Sequence, residues 1–281
     1  MLGLSFGGSF FGNFVTFLTR KGVKQMSKHV VVKVSGEAMG SGVRPLDRSK
    51  IGSLVLQISR LCNVERGMRI AVVIGGGNFI RGREAKDIGI SQEVADIAGM
   101  MGSLANAKVL ADSLKEQGRE ALVFSRFEAT SALVLNYQSL LDLWVTQSPG
   151  YSIAILGGGT GVGGVSTDTA AAQLAVDIDA DLLIKATNVR GVFSSDPKKP
   201  QVTTDRSMPE FFPSLSHAEM IERGLGVMDL GAVELCLRRA IDIRVCDQGY
   251  DVNALALAWH GEIGTIIHTD PVGELRVHTC V

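Results

Sequence analysis

From Lys28 onward, short runs of β-branched and aliphatic residues alternate with longer stretches whose apolar positions recur every three or four residues. His29–Val34 (HVVVKV), Met68–Ile74 (MRIAVVI), Ala121–Phe124, Tyr151–Leu156 (YSIAIL), Asp181–Ala186 (DLLIKA) and Ile241–Cys246 (IDIRVC) read as strands. Between them, Ile51, Leu54, Val55, Ile58, Leu61 and Cys62 step along one face of a helix. Helical patterns also run through Val94–Leu114, Thr169–Val176, His217–Arg223 and Ala232–Ala240. Strands apolar on both faces, separated by helices, predict a mostly parallel sheet between two helical layers: a three-layer α/β/α sandwich. No repeat, low-complexity tract or Pro-rich linker divides the chain after Lys28, so it reads as one domain, with Thr203–Pro213 an excursion within it.

Composition narrows the function classes. A hydrophobic fraction of 46% against 20% charged residues excludes an intrinsically disordered chain. The net charge of −1 leaves no basic excess to favour nucleic acid or an acidic membrane. No apolar run reaches the roughly 18 residues of a membrane span. Met1–Gln25 is Phe- and Gly-rich, and Arg20, Lys21 and Lys24 follow its apolar part, the reverse of a secretory signal. It reads as a loosely ordered arm, or as sequence ahead of a true start at Met26. Cys62, Cys236, Cys246 and Cys280 are scattered, without a Cys-x-x-Cys pair or a nearby His at ligand spacing. Incidental thiols in a reducing cytosol fit better than disulfides or a zinc site.

Glycine is the outlier, at 33 of 281 residues, and its excess is local. Ser35-Gly36, Gly75-Gly76-Gly77 and Gly157–Gly164 each follow a predicted strand. In an open parallel sheet ligands bind at the carboxyl ends of strands, and glycine there lets backbone N–H groups approach phosphate oxygens. One such loop is weak, because turns need glycine anyway. Three on one edge predict a surface built for several phosphates.

Charged residues near these loops sharpen the expectation. Lys33 sits among valines two residues before Ser35, a costly place unless its ammonium finds a partner or snorkels at a sheet edge. Arg81, four residues past Gly77, suits a phosphate fork, with Arg83 as competitor. Asp168 follows Thr167 where a helix begins, so it reads equally as a site residue or an N-cap. Asp196 precedes Pro197 in a loop, where a plain turn aspartate is the other reading.

Two familiar signatures fail. Gly159-x-Gly161-x-x-Gly164 matches the dinucleotide fingerprint with Asp179 at the right distance, but Asp179 precedes the next strand instead of ending it. The P-loop pattern and the protein-kinase signatures are absent, and Met228-Asp229-Leu230 is no substitute for the latter.

Five segments carry a resemblance: KVSGEAM (Lys33–Met39), VVIGGGNFIRG (Val72–Gly82), GGTGVGGVSTDTAA (Gly158–Ala171), KATNVRGVFSSDP (Lys185–Pro197) and VMDLGA (Val227–Ala232). In order and spacing they resemble the bacterial UMP kinases of the amino-acid-kinase family. The likeness spans about residues 28–269, through Gly264-Thr265-Ile266, leaving 1–27 as an N-terminal extension and 270–281 as a tail.

The resemblance implies a cytoplasmic enzyme of pyrimidine nucleotide synthesis, usually a homohexamer, that moves the γ-phosphoryl group of ATP to UMP. It implies Mg²⁺ held through the ATP phosphates, and GTP and UTP as possible effectors. Lys33, Asp168 and Arg81 become the catalytic set, with Asp168 orienting Lys33. Lys33, Val34, Ser35, Gly36, Gly77, Arg81, Thr187, Phe193 and Asp196 would hold ATP. Gly76, Asp96 and the run Thr160, Gly161, Val162, Gly163, Gly164, Val165, Ser166, Thr167 would hold UMP, with Asp96 on the ribose hydroxyls. From helical spacing alone, Asp96 shares a solvated face with Gln92 and Glu93.

Two features depart from the family pattern. Asn-Pro and aromatic residues usually follow the Thr-Gly of the nucleotide loop, where this chain has Val162-Gly163-Gly164-Val165, which bears on base affinity more than on reaction class. Gly40–Asp47 is short in a region linked to GTP regulation. A carboxylate kinase of the same fold, or a non-catalytic dinucleotide-binding module, are the competing readings.

Overall fold

Along β1 (His29–Val34) the side chains divide by alternation between two cores. Val30, Val32 and Val34 enter the core covered by α1 (Arg48–Leu61), α2 (Gln92–Glu116) and α7 (Ala254–His260). Val31 enters the opposite core with α3 (Tyr137–Val145), α4 (Thr167–Asp177), α5 (His217–Glu222) and α6 (Leu230–Arg239). Each fully buried aliphatic side chain stabilises this arrangement by about 1.5–3 kcal/mol relative to exposure. The computed structural model describes residues 28–80, 87–127, 134–146, 152–198 and 208–269. Met1–Gln25, the tail and both Arg81 and Arg83 lie outside the described residues.

The other strands are β2 (Arg69–Ile74), β3 (Ala121–Ser125), β4 (Leu135–Asn136), β5 (Ile153–Gly157), β6 (Leu182–Thr187), β7 (Val192–Phe193), β8 (Phe211–Phe212), β9 (Ser214–Ser216), β10 (Ile243–Asp247) and β11 (Thr265–His268). Nine form one sheet in the order β4-β3-β5-β2-β1-β6-β10-β11-β9. Among the described residues, only the β10–β11 pairing in it is antiparallel. With helices on both faces, this is the three-layer α/β/α fold. β7 and β8 form a separate antiparallel ribbon. The described end of the Thr203–Pro213 excursion is therefore paired, and the chain rejoins the main sheet at β9.

Helix starts follow local chemistry. Asp47 accepts from the Ser49 and Lys50 amides (3.0 and 3.2 Å) to start α1, and Ser91 accepts from Val94 N to start α2. The periodicity gives no signal for α3 or α7, nine and seven residues long, because so few turns do not establish a helical period. Among the described residues, no helix is long and apolar enough to cross a membrane.

Candidate active site

β5, β2, β1 and β6 are neighbours and parallel, so their carboxyl ends share one edge of the sheet. The three glycine loops emerge there side by side. A Cβ on Gly36 would stand 2.7 Å from the Gly75 carbonyl oxygen and 2.8 Å from the Gly77 nitrogen, so glycine is what lets the first two loops touch. Two residues of α2 pin this edge from beneath. The Ser103 hydroxyl donates to Ile74 O (2.6 Å) and accepts from Gly158 N (2.9 Å), tying the end of β2 to the loop after β5. Fully buried Asn106 donates to Gly75 O (2.8 Å) and shares an amide contact with Asn78.

Period-two alternation sends Lys33 and Lys185 to the α4 side, along with Val31 and Leu183. The two lysines are direct register partners on β1 and β6. Lys33 Nζ lies 3.0 Å from Asp168 Oδ1, and Lys185 Nζ donates to Asp168 Oδ2. The Asp229 amide adds a longer contact to the same oxygen at 3.4 Å. Burial alone would push the Asp168 carboxyl up. The ammonium groups of Lys33 and Lys185 outweigh it and hold the carboxyl below the usual carboxylate range. Lys185 is pulled below the ordinary lysine range chiefly by burial, opposed by Asp168 and reinforced by the like charge of Lys33. Ser166 caps α4 through the Asp168 and Thr169 amides (3.2 and 3.4 Å). That removes the N-cap reading of Asp168, whose carboxylate is committed to the lysines.

Two cavities flank this junction. One, about 450 Å³, opens beside β2 and β5 and is lined by Gly76, Gly77, Ile80, Asp96, Ser103 and the 159–167 loop, Gly161 excepted. The other, about 470 Å³, opens beyond β6 and is lined by Thr187, Gly191, Phe193, Asp196 and residues 223–227. β1, which carries Lys33, stands between β2 and β6; Thr167, next to Asp168, lines the first cavity and Thr187, two residues past Lys185, lines the second. This is the layout that a reaction between two phosphate-bearing ligands requires: one pocket each, and positive charge at the meeting point.

Asp96 is half-buried in the wall of the first cavity, with Gln92 Nε2 donating to its Oδ1 at 2.7 Å. Gln92 and Glu93 are exposed, as helical spacing expects, and so are Val94, Ile97 and Met101, whereas Asp96 is turned partly into the cavity wall. Gly163 closes over it: a Cβ there would meet Asp96 Oδ2 at 3.0 Å. Thr160, Val162, Gly164, Val165, Ser166 and Thr167 also line this cavity, whereas Gly161 packs on the Arg126 carbonyl. The Val34 side chain is core, and its carbonyl accepts from Gly75 N at 3.0 Å. Asp196 lines the second cavity and also accepts from Lys198 N at 2.9 Å, the bond of a turn aspartate. Asp179 lies in the turn before β6, at the opposite edge from the glycine loops. It cannot complete a dinucleotide fingerprint there.

Three participants escaped the sequence reading. Lys185 carried the same signal as Lys33, a lysine inside an apolar strand. Ser103 and Asn106 gave none, because small polar residues within a long helix are ordinary until the loops they hold are seen.

Residues 28–247 match the amino acid kinase family. The uridylate kinase of Pseudothermotoga lettingae is 37% identical over 246 residues, spanning 87% of this chain and 100% of that protein. The uridylate kinase of Mycobacterium tuberculosis is 35% identical over 243 residues, 85% of this chain and 88% of that protein. Among solved structures, UMP kinase from Bacillus anthracis aligns with a TM-score of 0.76 and 26% identity, covering 87% of this chain and 97% of that one. UMP kinase from Ureaplasma parvum aligns with a TM-score of 0.75 and 25% identity, covering 87% and 100%. The family match across most of the described sheet, and the similarity in fold and sequence, converge: this chain belongs to the amino acid kinase family.

Proposed function

We propose that the protein is a UMP kinase, transferring the γ-phosphoryl group of ATP to a phosphate oxygen of UMP to give ADP and UDP for pyrimidine nucleotide synthesis. The observation that carries this reading is the lysine pair on Asp168 between two nucleotide-sized cavities. Support comes from relatives named uridylate kinase over nearly their whole length.

In this reading UMP fills the cavity holding Asp96, its ribose hydroxyls donating to the carboxylate. ATP fills the cavity holding Thr187, Phe193 and Asp196, its phosphates reaching the Ser35–Gly36 and Gly75–Gly77 loops. The UMP phosphate oxygen attacks the γ-phosphorus as the bond to the β–γ bridging oxygen breaks, and the electron pair leaves on ADP. Lys33 and Lys185 meet the charge that develops on the transferred group, and Asp168 positions both. No protein nucleophile takes part. Asp168 is engaged by two ammonium groups; Mg²⁺, held through the phosphates of ATP, would supply charge neutralisation there. Arg81 belongs to the same reading as a further phosphate contact. So do a cytoplasmic location, a hexameric assembly and response to nucleotide effectors.

The competing reading is a carboxylate kinase of the same fold. A coupled ADP-release assay across UMP, CMP, acetylglutamate, aspartate and glutamate separates them. ADP release that requires UMP is expected; release with an acid and none with UMP overturns the proposal.

A further inference from the structure

Among the described residues that line the first cavity, Asp96 carries the only ionisable side chain. Its carboxylate is held from two sides. From the loop after β5, Gly163 closes on Oδ2, where a Cβ would stand 3.0 Å away. On α2 itself, Gln92 donates from Nε2 to Oδ1 at 2.7 Å, the one hydrogen bond to this carboxylate among the described residues. Gln92 and Asp96 both line the cavity. Gln92 is the first residue of α2, a start fixed by Ser91, whose hydroxyl accepts from Val94 N at 3.3 Å. Asp96 follows four residues later, the spacing at which a glutamine amide reaches an aspartate on the same helix face.

On an open helix surface such a pair only supports the helix. In a cavity wall it also decides where the carboxylate points. The outer torsion of an aspartate is broad, so a lone carboxylate turns freely about it. A donor on Oδ1 fixes the plane, and the remaining lone pairs of Oδ1 and Oδ2 stay open to hydroxyl donors. The choice of an amide matters as well. A lysine or arginine at position 92 would neutralise Asp96, whereas the neutral amide leaves the full negative charge for charge-assisted bonds. We propose that Gln92 is a positioning residue for the acceptor nucleotide, holding the Asp96 carboxylate so that the ribose hydroxyls meet oriented acceptors. The inference rests on the reading of this cavity as the UMP site. Because Gln92 acts through Asp96, its loss falls on the acceptor and not on the donor.

The test is calorimetric titration with UMP, alongside steady-state kinetics, on the full chain and two variants at this exposed position. Gln92→Ala removes the donor. It should raise Kd and KM for UMP about three- to ten-fold, with a smaller effect on kcat and none on KM for ATP. Gln92→Glu sets a second carboxyl against Oδ1. At pH 8 both are ionised and repel, so the orientation is lost. At lower pH the pair shares one proton, and the protonated Glu donates to Oδ1 as the amide did. The ratio of variant to wild-type Kd should therefore be about ten-fold at pH 8 and fall to about two-fold at pH 5.5. Taking the ratio cancels the titration of UMP itself, and a residue that only supported α2 would show no such recovery. An unmoved Kd for UMP in Gln92→Ala, equal rises in both Michaelis constants, or a Gln92→Glu ratio that ignores pH overturns this inference while leaving the UMP reading intact. A wild-type protein that does not bind UMP overturns both.

Discussion

Lys33 and Lys185 are register partners on adjacent parallel strands, and both ammonium groups meet one carboxylate, Asp168. Two like charges side by side in a buried position are tolerable only with that counter-charge. The arrangement holds two positive charges at the ends of neighbouring strands against one carboxylate. Lys33→Ala or Lys185→Ala should lower kcat by about 10²–10³-fold with little change in KM for UMP, since the lost interaction strengthens only in the transition state. Asp168→Asn should lower kcat similarly and also destabilise the fold by about 3–5 kcal/mol, because it strands two buried ammonium groups. Steady-state kinetics with urea unfolding measures both. A stable, active Asp168→Asn enzyme would show that the carboxylate orients nothing.

The pH profile follows from the same cluster. Lys185 gives up its proton below the ordinary lysine value of about 10.4. Activity should therefore fall on the alkaline side earlier than an ordinary lysine would dictate, and Lys185→Arg should move that limb to higher pH. Asp168 has a depressed pKa, so its stabilisation is present above the unfolded carboxylate value of about 3.9 and is lost as pH falls through the lower folded value. Acid unfolding of Asp168→Asn should lack that component. An unmoved alkaline limb in Lys185→Arg would assign the limb to another group.

Asp96 tests the acceptor pocket. Asp96→Asn should raise KM for UMP by roughly one to two decades and leave KM for ATP nearly unchanged, at about 1.4 kcal/mol per decade. Gly163→Ala should act in the same direction, as its Cβ would meet Asp96 Oδ2 at 3.0 Å. Equal rises in both Michaelis constants, or none, would make Asp96 a structural residue.

Much of this was legible in the sequence, for identifiable reasons. Apolar runs such as HVVVKV and MRIAVVI report burial on both faces, and the glycine loops announce strand ends, so the layers and the ligand-binding edge followed. Lys33 stood out because a lysine among valines needs a partner. Its partner Asp168 came only through the family resemblance, since nothing in a linear pattern says that residue 168 on α4 faces residues 33 and 185 on two strands. Helical spacing grouped Asp96 with exposed Gln92 and Glu93, and could not show that a loop from another strand folds over it to make a cavity wall. Short helices such as α3 give too few turns for a period to emerge.

The most direct measurement follows the phosphorus itself. Incubated with ATP labelled at the γ-phosphate, Mg²⁺ and UMP, the protein should place the label on the β-phosphate of UDP, and Lys33→Ala should abolish that product. Label recovered as inorganic phosphate or on a carboxylate substrate, with UMP left unphosphorylated, would contradict the account.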